Sequence, residues 1–463
     1  MGRARVVRTG VVSARAVRAG VVLALCCVAV AAGCSSGSSP GATRPRGLSG
    51  KPGYLVYWDQ NEEVDFLRQP SGLQGQLMPA WDLNGQMCVV PDRSGRFVGG
   101  LDPTLPGQHN PGGLKPYKQP AIGEELNRAN GSFSGRVFYV PGPFKMPGQS
   151  VGEDSPATSN GVFNNDSTYT GCAFDTRGNL FATDIGTAQG SFPPPDDGRL
   201  VEWFAPKYRS YCIVEGPTSG GVGPHHVDGH GGLSQPGMLT LADNGDLLMP
   251  VAGPDQVVRI DHTSFPADAA ACPGGVYPPA DLHTSVFFQG SSTLLPFAAG
   301  IARDPTCDCF AISSFFGNPS IVWVTAQGQP EPGRTPVPGE TIAQIGQDPT
   351  GYNPFGMAFA PDGTLYFVDI HIACKNNMIG DGCGPADYGG RVMEVRFTGG
   401  RPSAPTVVHG GFDFPTSVTV CVPARQVCPY PPGRIVAPAS GPSENDAPDK
   451  GPASDKPATA GFG

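Results

Sequence analysis

The chain has 463 residues, 15% of them charged, and a formal net charge of −9 at neutral pH. That acidic balance disfavours nucleic acid and anionic lipid headgroups as partners. Gly 66 and Pro 51, with amphipathic helical periodicity nearly absent, exclude a helical protein.

Arg3, Arg5, Arg8, Arg15 and Arg18 make a basic start without an acid, followed by an apolar run from Val21 to Ala32. Its length, about 18 Å as a helix, falls short of the ~30 Å hydrocarbon core, so it is expected to be a signal-peptide core rather than a span. Val30-Ala31-Ala32-Gly33-Cys34 resembles a bacterial lipobox. The expectation is therefore a signal peptide over 1–33, lipid attachment at Cys34, and a Ser/Gly/Pro-rich tether over 34–52 that holds the protein at the outer face of the cell membrane. The segment 436–463 is Pro/Ala/Ser-rich with almost nothing apolar and is expected to be disordered.

Between them, 53–435 reads as one folded body. Its signal is an internal repeat: Gly85-QMCVVPDRSGRFVGGLD, Gly171-CAFDTRGNLFATD, Gly237-MLTLADNGDLLMPV, Gly300-IARDPTCDCFAISS, Gly356-MAFAPDGTLYFVD and a degenerate Pro415-TSVTVCVPARQVC. Apolar residues alternate on each side of a turn of the D-x-x-G or P-D-G kind, the pattern of a hairpin. A third strand follows in the clear copies, as GRLVEWF, PDQVVRID, PSIVWV and GRVMEVRF. Small sheets recurring without helices bury their faces only against one another, so the prediction is an all-β, six-bladed β-propeller with long loops on one face. GYLVYWD at 53–59 precedes the first copy and is expected to complete the last blade and close the ring.

At GCAFDTRGNLFATD…GRLVEWF and GMAFAPDGTLYFVD…GRVMEVRF the chain resembles the NHL-repeat and regucalcin/gluconolactonase group of six-bladed propellers. The resemblance covers about residues 85–428 as architecture and is weak for function. In the lactonase relatives a divalent ion sits in the central shaft, and the resemblance implies such parts for Asn353 and Asp369. No early E-x-P-x-W glutamate motif accompanies them.

Antiparallel strand order sends the second-to-third-strand loops and the blade-to-blade loops to the same face. That face would collect Asn165, Asp166, Asp184, Asp228, Asn353, Asp369 and His371 as ligand-binding candidates, with His225, His226 and His230 as candidate metal ligands. Imidazoles suit zinc or other transition metals, and Asn/Asp oxygens suit calcium, so a divalent metal, calcium or zinc, is open as a cofactor. Terminal Asp184 and Asp369 have a plainer reading as turn-tying carboxylates.

Ten cysteines remain beyond Cys26, Cys27 and Cys34, an even number in an exported chain, which reads as a disulfide set. Cys374 with Cys383 and Cys421 with Cys428 are the expected short-range pairs; Cys307 and Cys309 are expected to pair with other loops. Three functions stay open: binding of a cell-envelope partner or small polar ligand at the loop-rich face, metal-dependent lactone hydrolysis, and quinoprotein sugar dehydrogenation. The last would draw on Arg199, Lys375 and Arg391 for a basic pocket. Whether the protein is an enzyme is not decided by its sequence.

Overall fold

Each clear repeat folds as the antiparallel hairpin its alternation requires. A computed structural model describes residues 53–60, 63–69, 71, 73–78, 86–91, 97–100, 120–125, 135–139, 169–184, 198–216, 233, 236–278, 281–291, 294–340, 351–374, 383–385, 389–412, 415–425 and 428. In the second copy, Tyr169–Phe174 and Leu180–Asp184 are joined at Asp175, whose carboxylate accepts from the backbone N–H of Arg177 at 2.9 Å and of Asn179 at 2.8 Å. Gly178 takes the left-handed position there, at φ 83°.

Third and fourth strands complete the sheets. Arg199–Trp203 and Tyr211–Glu215 extend the second copy, Gln256–Ile260 and Thr284–Gln289 the third, and Gly390–Val395 and Thr406–Phe412 the fifth. The first copy forms a sheet of Cys88–Val89, Phe97–Gly100, Pro120–Glu125 and Gly135–Tyr139. A further sheet joins the two ends of the chain. Val418–Cys421 is its inner strand and pairs with Tyr54–Gln60, followed outward by Glu63–Gln69 and Leu73–Met78. Leu55 lies opposite Cys421 and Trp58 opposite Val418, so strands from opposite ends of the sequence share one ladder.

The molecule is an all-β propeller with five four-stranded blades among the described residues. The expectation of six blades is met in part: five sheets are complete four-stranded blades. The fourth copy, Ala298–Asp304, Cys309–Ser314 and Ile321–Thr325, is a three-stranded sheet. The chain beyond it is rich in proline (Pro330, Pro332, Pro336, Pro338), which lacks the N–H a ladder needs. It makes only isolated bridges, Val324 with Pro330 and Ile321 with Val337. Among the described residues no helix is long and apolar enough to cross a membrane.

The sheets bury both faces. Leu180–Asp184, Arg199–Trp203 and Leu247–Val251 are buried at every residue. Val201 and Trp203 pack toward Val90 and Val98 of the preceding sheet, whereas Leu200 packs toward Leu247 and Met249 of the next. Further round, Ile312 meets Leu248 and Val257, Trp323 meets Phe367, and Tyr366 meets Tyr54 and Trp58.

The glycine that opens each clear repeat marks where neighbouring inner strands touch. A Cβ on Gly171 would lie 2.5 Å from the carbonyl oxygen of Gly237, and one on Gly356 would lie 2.6 Å from that of Thr416. Gly237 and Gly300 stand the same way against the carbonyls of Ala299 and Phe355. Any side chain at these positions would push the ring apart. Thr183 Oγ1 donates to Gly237 O at 2.7 Å, and Ser313 Oγ to Phe355 O at 2.9 Å, tying the same seams.

Candidate functional site

The register places the predicted residues on one face. In the 169–215 blade, Asp184 lies opposite both Tyr169 and Arg199, and Leu200 opposite Glu215. In the 354–412 blade, Asp369 lies opposite Pro354 and Arg391, and Gly390 opposite Phe412. The connections 185–197, 217–232, 341–350 and 375–382 therefore begin at the same end of the propeller.

On that face the acids are paired. Asp184 and Arg199 are both wholly buried, with Oδ2 accepting from Nε at 3.0 Å and Nη2 at 2.6 Å. Asp369 Oδ2 accepts from Arg391 Nε at 3.1 Å and Nη2 at 2.5 Å, and its Oδ1 accepts from the N–H of Asn353 at 2.8 Å and of His371 at 3.2 Å. Asn353 is equally committed: its Nδ2 donates to Phe315 O at 2.8 Å and its Oδ1 accepts from Ile372 N at 2.9 Å. These three candidates act as internal ties of the rim. Arg199 and Arg391 answer Asp184 and Asp369 across the strand pair, which corrects their reading as loop cations of a cofactor pocket; Lys375 lies outside the described residues.

The signal for this device was present in the sequence. Each of these two repeats ends in Asp, and its third strand starts with Gly-Arg. A third case carried no such signal. Asp59, at the corresponding strand end of the closing blade, accepts from Thr416 N at 2.8 Å, Thr416 Oγ1 at 3.2 Å and Ser417 N at 2.5 Å.

His371 differs from its neighbours. It is half-buried, holds a left-handed backbone at φ 46°, and its Nδ1 lies 3.5 Å from Arg391 Nη2. Burial, and secondarily Arg391, push its pKa below the usual histidine value against the opposing pull of Asp369. A guanidinium only donates, so Nδ1 is the acceptor in this contact. Asn165, Asp166, His225, His226, Asp228, His230 and Cys34 lie outside the described residues.

Met238 is buried with Phe355 and Val418, and its Cε lies 3.1 Å from the Cβ position of Gly356, two blades away. Gln86 Oε1 accepts from Cys172 N at 3.1 Å and Leu239 N at 2.8 Å, while its Nε2 donates to Leu239 O at 3.0 Å. A shaft ion held by Asn353 and Asp369 does not fit this arrangement, because both residues already satisfy backbone and guanidinium groups.

Two acidic groupings elsewhere bring ligand atoms within 4.8 Å of one another: Asp246, Asp261 and His262, and Asp304, Cys307 and Cys309. Asp246 and the Asp304 group lie at first-to-second-strand turns, and Asp261 and His262 follow the third strand Gln256–Ile260, all on the opposite face. Asp246 accepts from Asn244 Nδ2 at 2.8 Å, His262 N at 3.1 Å and Arg259 Nε at 2.5 Å, with His262 Nδ1 at 2.7 Å. These contacts, led by the His262 bonds, outweigh burial and hold its pKa at about 2. Its oxygens are therefore engaged by a cation of the protein itself. Cys307 and Cys309 are bonded to each other, which corrects the expected pairing with other loops and removes their thiolates as ligands.

Cys421–Cys428 forms as expected, and the strands Ile372–Cys374 and Cys383–Pro385 place Cys374 opposite Cys383. Cys88–Cys172 and Cys212–Cys272 each join neighbouring blades.

No protein-family model matches the chain, and no curated protein matches it. Among solved structures it is similar to a luciferin-regenerating enzyme (14% identity, TM-score 0.39, 69% of this chain and 84% of that one). It is also similar to virginiamycin B lyase from Staphylococcus aureus (12%, 0.38, 75% and 82%) and to a calcium-binding protein, regucalcin, from Agrobacterium tumefaciens (12%, 0.37, 68% and 77%). At these scores the likeness decides nothing about chemistry.

Proposed function

We propose that the protein is an exported lipoprotein, anchored through Cys34, whose propeller binds a small polar ligand or a cell-envelope partner at the face from which 185–197, 217–232, 341–350 and 375–382 emerge. The observation that carries this reading is that the rim acids are neutralised internally, Asp184 by Arg199 and Asp369 by Arg391. Among the described residues that rim is a rigid frame carrying the half-buried imidazole of His371. Such a frame supports recognition, because Asp184 and Asp369 are engaged by their arginines rather than free to act as general bases. Lactone hydrolysis through a shaft ion and quinoprotein chemistry through Arg199 and Arg391 both need groups that are engaged here.

The test has two arms. In cells, palmitate labelling and membrane fractionation compare the native chain with Cys34→Ala; the native chain is expected in the labelled membrane fraction and the variant is not. Equal partitioning without label removes the anchor. In vitro, melting of the full chain is followed against sugars, sugar acids, lactones and cell-wall glycan fragments, with native protein and His371→Ala. A shift that His371→Ala weakens supports the binding face. Lactone turnover that responds to divalent metal and chelator would replace binding with hydrolysis.

A further inference from the structure

We propose that the Cys307–Cys309 bridge is a redox-active site that exchanges with dithiols, on the propeller face opposite the loop-rich one. It is independent of the binding face proposed above. The bridge spans only Asp308, a sequence separation of 2, against 84 for Cys88–Cys172 and 60 for Cys212–Cys272. Those long bridges join neighbouring blades and restrict the unfolded chain strongly. Stabilisation of this kind grows with the length of the closed loop, so a bridge across one residue adds little. Holding the fold together does not account for it.

The turn between Ala298–Asp304 and Cys309–Ser314 presents the two sulfurs unequally. Cys307 is half-buried between exposed Thr306 and Asp308, whereas Cys309 is wholly buried. An incoming thiolate therefore reaches Cys307 first. A cation stands beside that sulfur: Arg334 Nη2 donates toward Cys307 Sγ at 3.9 Å. Arg334 comes from the proline-rich segment that stands in place of a fourth strand. It is held by Asp304 Oδ2 at 2.7 Å, by Thr306 Oγ1, and by the Phe397 ring, whose centroid is 4.9 Å from its guanidinium carbon. Asp304 opposes negative charge here, since one of its oxygens lies within 4.8 Å of both sulfurs. Neutral donors share that carboxylate with Arg334: Thr306 N at 2.9 Å, Thr306 Oγ1 at 2.6 Å and Trp323 Nε1 at 3.2 Å.

In the exchange, one thiolate of the dithiol attacks Cys307 Sγ, the bond to Cys309 breaks, and Cys309 takes a proton. The dithiol's second thiolate then attacks the dithiol sulfur of the mixed disulfide, and Cys307 leaves as a thiolate to which Arg334 donates. The dithiol is oxidised to a disulfide and the bridge is reduced to two cysteines. Of the two protons released, one goes to Cys309 and one to water. A donor beside the leaving thiolate stabilises the reduced form and makes the bridge a stronger oxidant. A monothiol has no second sulfur, and Cys309 beside the mixed disulfide expels it again. Paired thiols are therefore the substrate class.

The experiment exposes the full chain to dithiothreitol and to glutathione redox buffers, then alkylates it and reads each cysteine by peptide mass spectrometry. Cys307–Cys309 is expected to open while Cys88–Cys172 and Cys212–Cys272 stay closed. Arg334→Gln is expected to shift its balance with glutathione about tenfold toward the disulfide, with Arg334→Lys between the two. Arg303→Gln, an arginine of the same strand that pairs with Asp243, is expected to leave the balance unchanged. Cys307→Ser/Cys309→Ser is expected to melt like the native protein, whereas Cys212→Ser/Cys272→Ser melts lower. In Cys309→Ser, alkylation of Cys307 against pH is expected to have its midpoint below about 8.5, the free-cysteine value. That profile leaves Arg334 intact, so it decides even where Arg334→Gln lowers the melting temperature. Opening no earlier than the long bridges, an alkylation midpoint at or above about 8.5, or equal melting losses in the two double variants would each overturn the site.

Discussion

Asp184 and Arg199 face each other across adjacent strands with no solvent exposure on either side chain. A charge pair this deep is weak evidence of net stabilisation, since both ions lose their water. Breaking it is another matter. Asp184→Asn or Arg199→Met alone is expected to lower unfolding free energy by about 3–5 kcal/mol in denaturant titration. The double change to Leu and Met should cost less than either single one. Asp369→Asn should cost less than Asp184→Asn, because Arg391 keeps 22% of its side chain exposed and water can attend the orphan.

Gly237→Ala tests the seams between inner strands. The added methyl would overlap the carbonyl of Ala299, which is backbone and has no rotamer to yield. A loss of about 1–3 kcal/mol is expected, measured as a lower denaturant midpoint. Ala at Gly399, where nothing stands within 4 Å but φ is 57°, should show only the smaller backbone penalty.

Glu202 predicts a pH dependence. Burial raises its pKa to about 8 against the opposing bonds from Asn179 and Arg177, and its Oε2 finds no partner among the described residues. The folded state therefore keeps a proton that the unfolded chain releases near 4.5. Stability from this group is full below that value and falls as pH rises toward about 8, by up to about 1.4 kcal/mol per pH unit. Glu202→Gln mimics the neutral acid and should flatten the melting temperature between pH 5 and 8, checked by scanning calorimetry. An unchanged slope would refute the assignment.

His371 contributes to the acid limb with the opposite sign. Its pKa is held below the usual 6.5, chiefly by burial, so the unfolded chain takes up the proton first. Stability should decline as pH falls below about 6.5, and His371→Gly should reduce that decline in the same pH-resolved melts. The glycine also suits φ 46°, whereas His371→Val should cost about 1–2 kcal/mol at neutral pH.

Hairpins, their turns and their recurrence were legible in the residues, because alternation and turn chemistry act over a few positions. The strand GYLVYWD could be assigned to ring closure by counting copies, and it pairs with Val418–Cys421. The Asp…Gly-Arg signature of the rim was legible too, although its meaning was not. The missing fourth strand after Thr325 could have been read from its prolines.

What only tertiary structure decided is which polar groups were already engaged. Asp59 is satisfied by Thr416 and Ser417 from the far end of the chain, and Asn353 by Phe315 and Ile372. Met238 packs against Gly356, a glycine two blades away. The physical reason is desolvation. Once a group leaves water it must bond to whatever lies beside it, and in a ring those neighbours are chosen by closure rather than by sequence distance.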